Sequence, residues 1–302
     1  MNKLNRFLVA TIISIVVLGA DCQAEPSADK SACVLAAKTL TIDHGTLAYM
    51  QTGQGPHILL LHGLFAQKEQ WNALACLLAD AGHTVIAPDL PGYGQSTGFS
   101  ITDYKLENQV DLIFRFVSAL GLSRFDLGGS SMGGAIAVLY RQQHPEQVRS
   151  LAFIGAPMGI TQWGPGTRQA IYHGVNPFIP ITIDQFDLEM RLLFAKPPTI
   201  PETVKNGLIA DYLERNRHYQ QVWNIVNLYG RVIIDSRGSP SATLILWGTD
   251  DGIFDVVGAE PLQKKFPNGQ LFKLTNAAHL PMLENTSQVG ALYLDFMNNL
   301  EK

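Results

Sequence analysis

A serine surrounded by glycines is the first feature of this sequence that could do chemistry. Residues 127–140 read LGGSSMGGAIAVLY, and the pattern Gly-x-Ser-x-Gly fits once, with Ser131 between Gly129 and Gly133. The motif follows a strand-like apolar run and opens a helix-like run, so the chain must reverse sharply at Ser131, where flanking glycines let the strand and helix approach. The pattern predicts that Ser131 is a nucleophile. A tight turn with a purely structural role also fits.

A serine nucleophile needs a base, and the base needs an orienting acid. Asp250 and Asp251 directly follow the buried-strand pattern LILWG, and His279 lies between the last predicted strand and the last predicted helix. Loops at the carboxyl ends of parallel strands collect catalytic groups. The order Ser131, aspartate, His279 therefore predicts a catalytic triad. Its acid is either Asp250 or Asp251, although the Asp-Gly pair at 251 and 252 is also a turn signal.

The neighbouring polar and backbone groups have predicted roles as well. Acyl transfer requires donors for the oxyanion, and the backbone N–H groups of Leu64 and Met132 are the candidates. His62, beside Gly63, is expected to organise the turn rather than act as a base, and Asp89 is expected to fix the loop that follows it.

The rest of the chain must position these residues. Strand-like and helix-like segments alternate up to Pro157, which predicts an α/β fold with a mostly parallel sheet flanked by helices. Residues 158–240 contain helix-like stretches without a buried-strand pattern, and we expect a helical cap insertion there. The predicted α/β core therefore has two parts, residues 25–157 and 241–302, with the insertion between them.

Composition limits the classes of function. The chain has 302 residues, of which 46% are hydrophobic and 16% charged, as in a globular protein. Its formal net charge of −4 argues against binding nucleic acid or anionic lipid through bulk positive charge.

The amino terminus resembles an export signal. Lys3 and Arg6 precede an apolar run over residues 7–18, followed by small and polar residues. This order predicts a signal peptide over residues 1–24 and a periplasmic or secreted enzyme. A retained membrane anchor and lipid attachment at Cys22 remain alternatives, although the run is shorter than the roughly 20 residues that a membrane span needs.

Two cysteines would remain after signal removal. Cys33 and Cys76 could form a disulfide in an oxidising compartment, or they could be two separate, partly buried thiols. The sequence does not decide between these alternatives.

The chain resembles the α/β-hydrolase family, and within it the monoacylglycerol lipase and esterase branch. The resemblance rests on LLLHGLFAQKEQW, VIAPDLPGYGQS, GGSSMGG, RSLAFIGAP, LILWGTDDGIFDV and NAAHLPMLE. It implies that Asp251, three residues after the glycine of the Trp-Gly pair, is the acid. It also implies acyl transfer without a metal or organic cofactor, because relatives that open epoxides or cleave carbon–halogen bonds have aspartate where this chain has Ser131.

The resemblance also implies the kind of substrate. We expect the substrate to be a small-molecule ester of the lipid or acylglycerol class, with selectivity set by the insertion. We also expect the cap to make transient contact with lipid surfaces. About a third of nine cap aromatics should line the acyl pocket: Trp163, Tyr172, Phe178, Phe186, Phe194, Tyr212, Tyr219, Trp223 and Tyr229. The alternatives are a serine-dependent carbon–carbon hydrolase or perhydrolase, and a noncatalytic binding module on the same fold.

Overall fold

Eight strands form a single sheet in the computed structural model, which describes residues 33–300. The spatial order is β1-β2-β4-β3-β5-β6-β7-β8. β1 and β2 pair antiparallel with each other, β2 pairs antiparallel with β4, and every other pairing is parallel. The predicted α/β fold with a mostly parallel sheet is confirmed. The strands are β1 Ala36–Ile42, β2 Gly45–Thr52, β3 His57–Leu61, β4 Thr84–Pro88, β5 Phe125–Ser131, β6 Val148–Pro157, β7 Thr243–Gly248 and β8 Gly269–Leu274.

The sequence pattern identifies seven of these strands and misses β1. Most β1 side chains are exposed, so the strand lacks the apolar signal of buried strands such as β4, in which every residue is buried. β1 lies at the sheet edge, where Lys38 bonds to Gln51 of β2. A charged residue at such a position disfavours pairing with another chain.

Five helices flank the sheet and build a core on each face. One core includes residues from α2 and α3, and the other includes residues from α1 and α11. Trp71, Leu74, Ala75 and Leu78, which follow a helical spacing in the sequence, are all fully buried. The flanking helices are α1 Asn72–Asp80, α2 Leu106–Ala119, α3 Met132–Gln143, α9 Ala259–Lys265 and α11 Thr286–Leu300, and the short helix α10 Pro281–Glu284 precedes α11.

Helices occupy the segment between β6 and β7, where the sequence predicts the insertion. They carry a third apolar cluster of their own, which includes Phe186, Met190 and Leu208. This segment is called the cap below. Its helices are α4 Pro165–Tyr172, α5 Ile183–Leu193, α6 Glu202–Glu214, α7 Asn216–Asn227 and α8 Val232–Asp235.

A disulfide joins Cys33 to Cys76, with 5.7 Å between the two Cα atoms. It ties the segment before β1 to α1, so of the two alternatives left open by the sequence, the structure has the bridge. Residues 1–24, the predicted signal peptide, lie outside the described residues. Within residues 33–300, no helix is both long and apolar enough to span a membrane.

Candidate active site

The backbone is strained at the serine of the glycine-rich motif. Ser131 ends β5 with φ 52° and ψ −119°, and α3 begins at the next residue. A non-glycine residue at positive φ is costly, roughly 1–3 kcal/mol, and such residues persist mainly at functional sites. A Cβ on Gly129 would lie 2.4 Å from the Gly133 carbonyl oxygen, and a Cβ on Gly133 would lie 2.2 Å from that of Leu61. Both glycines are therefore required for the close packing of α3 against the strands.

An aspartate and a histidine form a buried pair near this turn. The Asp251 Oδ2 atom lies 3.0 Å from His279 Nδ1, and both side chains are almost fully buried. The other oxygen of Asp251, Oδ1, accepts hydrogen bonds from the backbone N–H groups of Ile253 at 2.9 Å and Phe254 at 3.0 Å. These bonds fix the carboxylate, which in turn can hold the imidazole with its Nδ1 proton directed at Asp251.

Asp250 has a different environment, although it is the neighbouring residue. Its side chain is exposed, and its Oδ1 atom accepts a hydrogen bond from the Thr249 hydroxyl. The structure thus brings Asp251 rather than Asp250 to His279.

The serine and the histidine meet at one cavity beneath the cap. Ser131, His279 and Leu64 all line it, because β3, β5 and β8 run parallel in one sheet and their carboxyl ends lie at the same edge. A Cβ on Gly63 would lie 3.2 Å from the Ser131 Cβ atom, which shows how closely the loop after β3 approaches the serine. This loop carries Leu64, the first predicted oxyanion donor.

Met132, the second predicted oxyanion donor, is the first residue of α3. Its side chain is fully buried, and its sulfur accepts a 3.6 Å hydrogen bond from the Tyr93 hydroxyl. The Ser131 side chain does not cap the helix. The backbone N–H groups of the first turn and the positive end of the helix dipole can therefore stabilise negative charge beside Ser131.

Buried polar residues hold the loops around the site. His62 Nδ1 donates to the Gly63 carbonyl oxygen at 2.8 Å, and its Nε2 atom accepts from the Leu90 backbone N–H at 2.9 Å. Burial lowers the His62 pKa to about 4, so His62 is neutral and organises the turn, as predicted. Asp89 accepts hydrogen bonds from the backbone N–H and the Nζ atom of Lys68, each at 2.8 Å, and so fixes the two loops together.

Aromatic residues of the cap line much of the cavity. Six of the nine cap aromatics line it, so the sequence-based expectation that about a third of them would do so was wrong. Tyr172 is 87% exposed and Tyr229 bonds to Glu107 instead. The cap aromatics that line the cavity are Trp163, Phe178, Phe186, Phe194, Tyr212 and Tyr219.

The end of α5 is bonded to both loops that carry the Asp251–His279 pair. The Leu192 carbonyl oxygen accepts from Gly252 N and the Leu193 carbonyl oxygen accepts from His279 N, both at 3.1 Å. Glu284 adds a second connection, because it accepts at 2.7 Å from Ala195 N of the cap and from Ala278 N of the histidine loop. Sequence patterns gave no indication of these contacts.

One polar residue of the cap, Glu189, was missed by the sequence analysis. Glu189 of α5 lines the cavity, is 8% exposed, and has its pKa raised to about 8 by burial. Burial, together with the nearby Glu189 carboxyl group, raises the pKa of Tyr212 well above its ordinary value. A glutamate in a helical segment is usually a solvated residue, so only the packing of the cap identifies it.

Comparisons with known proteins agree with this architecture. Residues 56–176 match a family model described as the alpha/beta hydrolase fold. A monoacylglycerol lipase of Xenopus laevis is 30% identical over 82% of this chain and 77% of its own length. Lipase 1 of Psychrobacter immobilis is 27% identical over 99% of this chain and 98% of its own.

A solved structure extends the similarity to three dimensions. The crystal structure of a membrane phospholipase A, described as a bacterial virulence factor, superposes with a TM-score of 0.81. It is 27% identical and covers 98% of this chain and 93% of its own. The fold, the geometry at Ser131 and these relatives together place the chain in the α/β-hydrolase family, in the branch of the monoacylglycerol lipases and esterases.

Proposed function

We propose that this protein hydrolyses carboxylic esters through an acyl-enzyme intermediate on Ser131. One observation carries the proposal. Ser131, on a strained turn, shares a cavity with His279, and the Nδ1 atom of His279 is hydrogen-bonded to the buried Asp251. The family supports ester hydrolysis, since its relatives are named as lipases.

The proposed mechanism uses only residues of this chain. Ser131 Oγ attacks the ester carbonyl carbon while His279 Nε2 takes its proton, and the Asp251 carboxylate stabilises the imidazolium that forms. Backbone N–H groups of Leu64 and Met132 stabilise the oxyanion. His279 then protonates the departing alcohol, and a water molecule activated by His279 releases the carboxylic acid and restores the Ser131 hydroxyl.

The cavity favours esters with an apolar acyl chain. Phe186, Met190, Leu208 and Leu283 line it together with the aromatic residues of the cap, and burying a methylene group against such side chains contributes about 0.8 kcal/mol. Lipid esters are therefore the proposed substrate class. Exposed apolar side chains on the cap, such as Tyr172 and Leu228, support a transient contact with lipid surfaces.

We also propose that the protein is exported. A disulfide between Cys33 and Cys76 suits an oxidising compartment, and the amino-terminal sequence resembles a signal peptide. Mass measurement of the protein recovered from periplasm and medium tests this proposal. A full-length mass with free thiols would contradict it.

The catalytic proposal is tested with nitrophenyl esters of increasing chain length. Ser131→Ala should abolish turnover and labelling by an organophosphonate. Ser130→Ala is the matched control, because it removes a neighbouring hydroxyl that is fully buried. Unchanged hydrolysis by Ser131→Ala would refute the nucleophile assignment, whereas a wild-type protein that neither turns over an ester nor reacts with the phosphonate would favour a binding module.

A further inference from the structure

Phe65 lies at a turn position whose backbone conformation favours glycine or asparagine. Residues 63–66 form a turn, called the oxyanion loop below, in which the Ala66 N–H donates to the Gly63 carbonyl oxygen at 3.3 Å. The loop carries Leu64, the proposed oxyanion donor, and Phe65 follows it with a φ of 56°. Glycine adopts positive φ without strain and phenylalanine does not. A phenylalanine here therefore indicates that its side chain makes contacts which glycine could not make.

The other residues with this conformation support a functional reading. Within residues 33–300, four non-glycine residues have positive φ: Asp43, Phe65, Ser131 and Asn276. Aspartate and asparagine tolerate the left-handed region, because their short polar side chains can bond to the nearby backbone. Ser131 is the proposed nucleophile, and Phe65 lines the same cavity. A strained conformation of this kind persists only where the surrounding structure holds it in place.

Two tyrosines of the cap hold the Phe65 ring. The ring centroid lies 5.1 Å from that of Tyr219 on α7, with an interplanar angle of 86°, and 6.5 Å from that of Tyr212 on α6, with an angle of 77°. Edge-to-face pairs are favourable at centroid separations of roughly 4.5–7 Å. The cap thus contacts the oxyanion loop through Phe65.

Tyr219 is itself fixed by an ion pair of the cap. Its hydroxyl donates to Asp211 Oδ2 at 2.5 Å, and the Arg215 guanidinium carbon lies 4.9 Å from its ring centroid. Arg215 also bonds to the Asp211 carboxylate. The ring that meets Phe65 is therefore held in one position by the cap.

The core holds both ends of the oxyanion loop. His62, before the loop, accepts at Nε2 from the Leu90 N–H at 2.9 Å, and the Lys68 N–H, after the loop, donates to Asp89 at 2.8 Å. Removing the Phe65 ring would leave these bonds in place and release only the segment between them. The fold should therefore survive a substitution at Phe65.

We infer that Phe65 is a positioning residue for the oxyanion: Tyr212 and Tyr219 hold its ring, and the ring keeps the Leu64 N–H directed at the oxyanion that forms beside Ser131. The inference rests on the proposed function, in which Ser131 attacks an ester carbonyl. It gives the cap a part in the chemical step in addition to enclosing the acyl chain. Because the donor acts mainly on the transition state, losing its placement lowers the rate more than it weakens substrate binding.

The first test compares an ester with its thionoester. 4-Nitrophenyl butyrate and O-4-nitrophenyl thionobutyrate share the acyl chain and the leaving group, and differ in the atom that becomes the anion. Sulfur is larger and accepts hydrogen bonds more weakly than oxygen, so attack on the thionoester depends less on the donors. Phe65→Gly should lower kcat/KM by about 10- to 100-fold for the ester and by less than about threefold for the thionoester; removing a whole donor costs roughly 10²–10³-fold.

A residue that only lines the acyl pocket should behave differently. Phe178 lines the same cavity but packs on Trp163 and Trp223 instead. Phe178→Leu should change kcat/KM for both substrates by the same factor, because their acyl chains are identical. The same result for Phe65→Gly would overturn the inference.

Variants of Tyr219 test whether the cap acts through Phe65. Tyr219→Leu removes the ring and should lower the ester-to-thionoester ratio of kcat/KM by about tenfold, whereas Tyr219→Phe keeps the ring and should stay within about threefold of wild type. Combining Phe65→Gly with Tyr219→Leu should lower the ratio no further than Phe65→Gly alone, because both remove the same contact. Losses that multiply would show that the two residues act independently and would contradict the inference.

A further measurement does not depend on turnover. When octyl trifluoromethyl ketone inhibits the enzyme, Ser131 Oγ bonds to the carbonyl carbon, the Ser131 proton passes to His279, and the carbonyl oxygen becomes an oxyanion. Octyl methyl ketone binds without this addition. Phe65→Gly should raise the inhibition constant of the trifluoromethyl ketone by about 10- to 100-fold and that of the methyl ketone by less than about threefold. An unchanged constant for the trifluoromethyl ketone would overturn the inference.

The proposed function and the role of Phe65 fail in different ways. If the wild-type enzyme hydrolyses no ester and an organophosphonate does not label Ser131, the proposed function is wrong. If the wild-type enzyme is active and Phe65→Gly keeps the wild-type ester-to-thionoester ratio, only the role of Phe65 is wrong. Thermal denaturation shows whether each variant is folded, and Phe65→Asn, which also tolerates positive φ, replaces Phe65→Gly if the glycine variant does not fold.

Discussion

Asp251 makes two sets of hydrogen bonds, and asparagine cannot preserve both. Oδ1 accepts from the backbone N–H groups of Ile253 and Phe254, whereas Oδ2 faces His279 Nδ1. In Asp251→Asn the single carbonyl oxygen will keep the two backbone donors, because the reverse orientation would place the amide NH₂ against both of them. The NH₂ group then faces Nδ1 and donates to it.

This orientation forces the wrong tautomer on the imidazole. His279 must accept at Nδ1 and carry its proton on Nε2, so it cannot take the proton of Ser131. We expect kcat/KM to fall by about 10³- to 10⁴-fold, a loss of about 4–5.5 kcal/mol of transition-state stabilisation. The fold should be retained, since the bonds to Ile253 and Phe254 persist.

The assay is hydrolysis of nitrophenyl butyrate together with the rate of organophosphonate labelling. Asp250→Asn is the matched control. Its kcat/KM should remain within about threefold of the wild-type value, because Asp250 is exposed and does not bond to His279. The reasoning is refuted if kcat/KM falls less than tenfold in Asp251→Asn, or if it falls equally in Asp250→Asn. Thermal denaturation establishes that each variant is folded.

Three further predictions concern stability. Gly133→Ala should lower the free energy of unfolding in urea by about 3 kcal/mol or more, because its Cβ would lie 2.2 Å from a carbonyl oxygen of β3. Gly230→Ala, where the nearest atom is 3.6 Å away, should change it by less than about 1 kcal/mol. Burial raises the Glu189 pKa from 4.5 to about 8, so the folded state retains a proton that the unfolded state loses, and wild-type stability should fall as pH rises between these values. The free energy of unfolding of Glu189→Gln should equal that of wild type near pH 4 and exceed it at pH 9 by up to about 5 kcal/mol. If the two proteins change in stability with pH in parallel, Glu189 is not a buried acid. Cys33→Ser opens a loop that spans 43 positions to Cys76, and should lower the free energy of unfolding by about 4 kcal/mol, a difference that should vanish when wild type is reduced.

The positions of Ser131, Asp251 and His279 could be predicted from sequence because each depends on the end of a strand and the loop that follows it. The alternation of apolar runs predicts the parallel strands, and the glycines around Ser131 predict a sharp turn after β5. Asp251 and His279 follow the ends of β7 and β8, which lie on the same side of the sheet, so their loop positions predict that they approach each other. β1 was missed because an exposed edge strand has a weak apolar pattern.

The lining of the cavity could not be predicted in the same way. Glu189 has the sequence context of a surface residue on an amphipathic helix. Gln67 and Gln70 are buried and also line the cavity, although their sequence context is that of a polar loop. Their burial depends on how the cap packs over the core, which is a contact between segments more than 100 residues apart in the chain. Periodicity within a single helix contains no information about that packing.

The same packing connects the lining of the cavity to the Asp251–His279 pair. α5 contributes Glu189 to the cavity and, one turn later, binds the loops of Asp251 and His279 through the carbonyl oxygens of Leu192 and Leu193. A displacement of α5 that widens the cavity would therefore also move His279, and we expect hydrolysis to slow as a result. Variants that change only the Glu189 side chain avoid this coupling, because the backbone bonds at the end of α5 remain. Comparing them with substitutions that shift the whole helix should separate the effect of the cavity lining from the effect of moving His279.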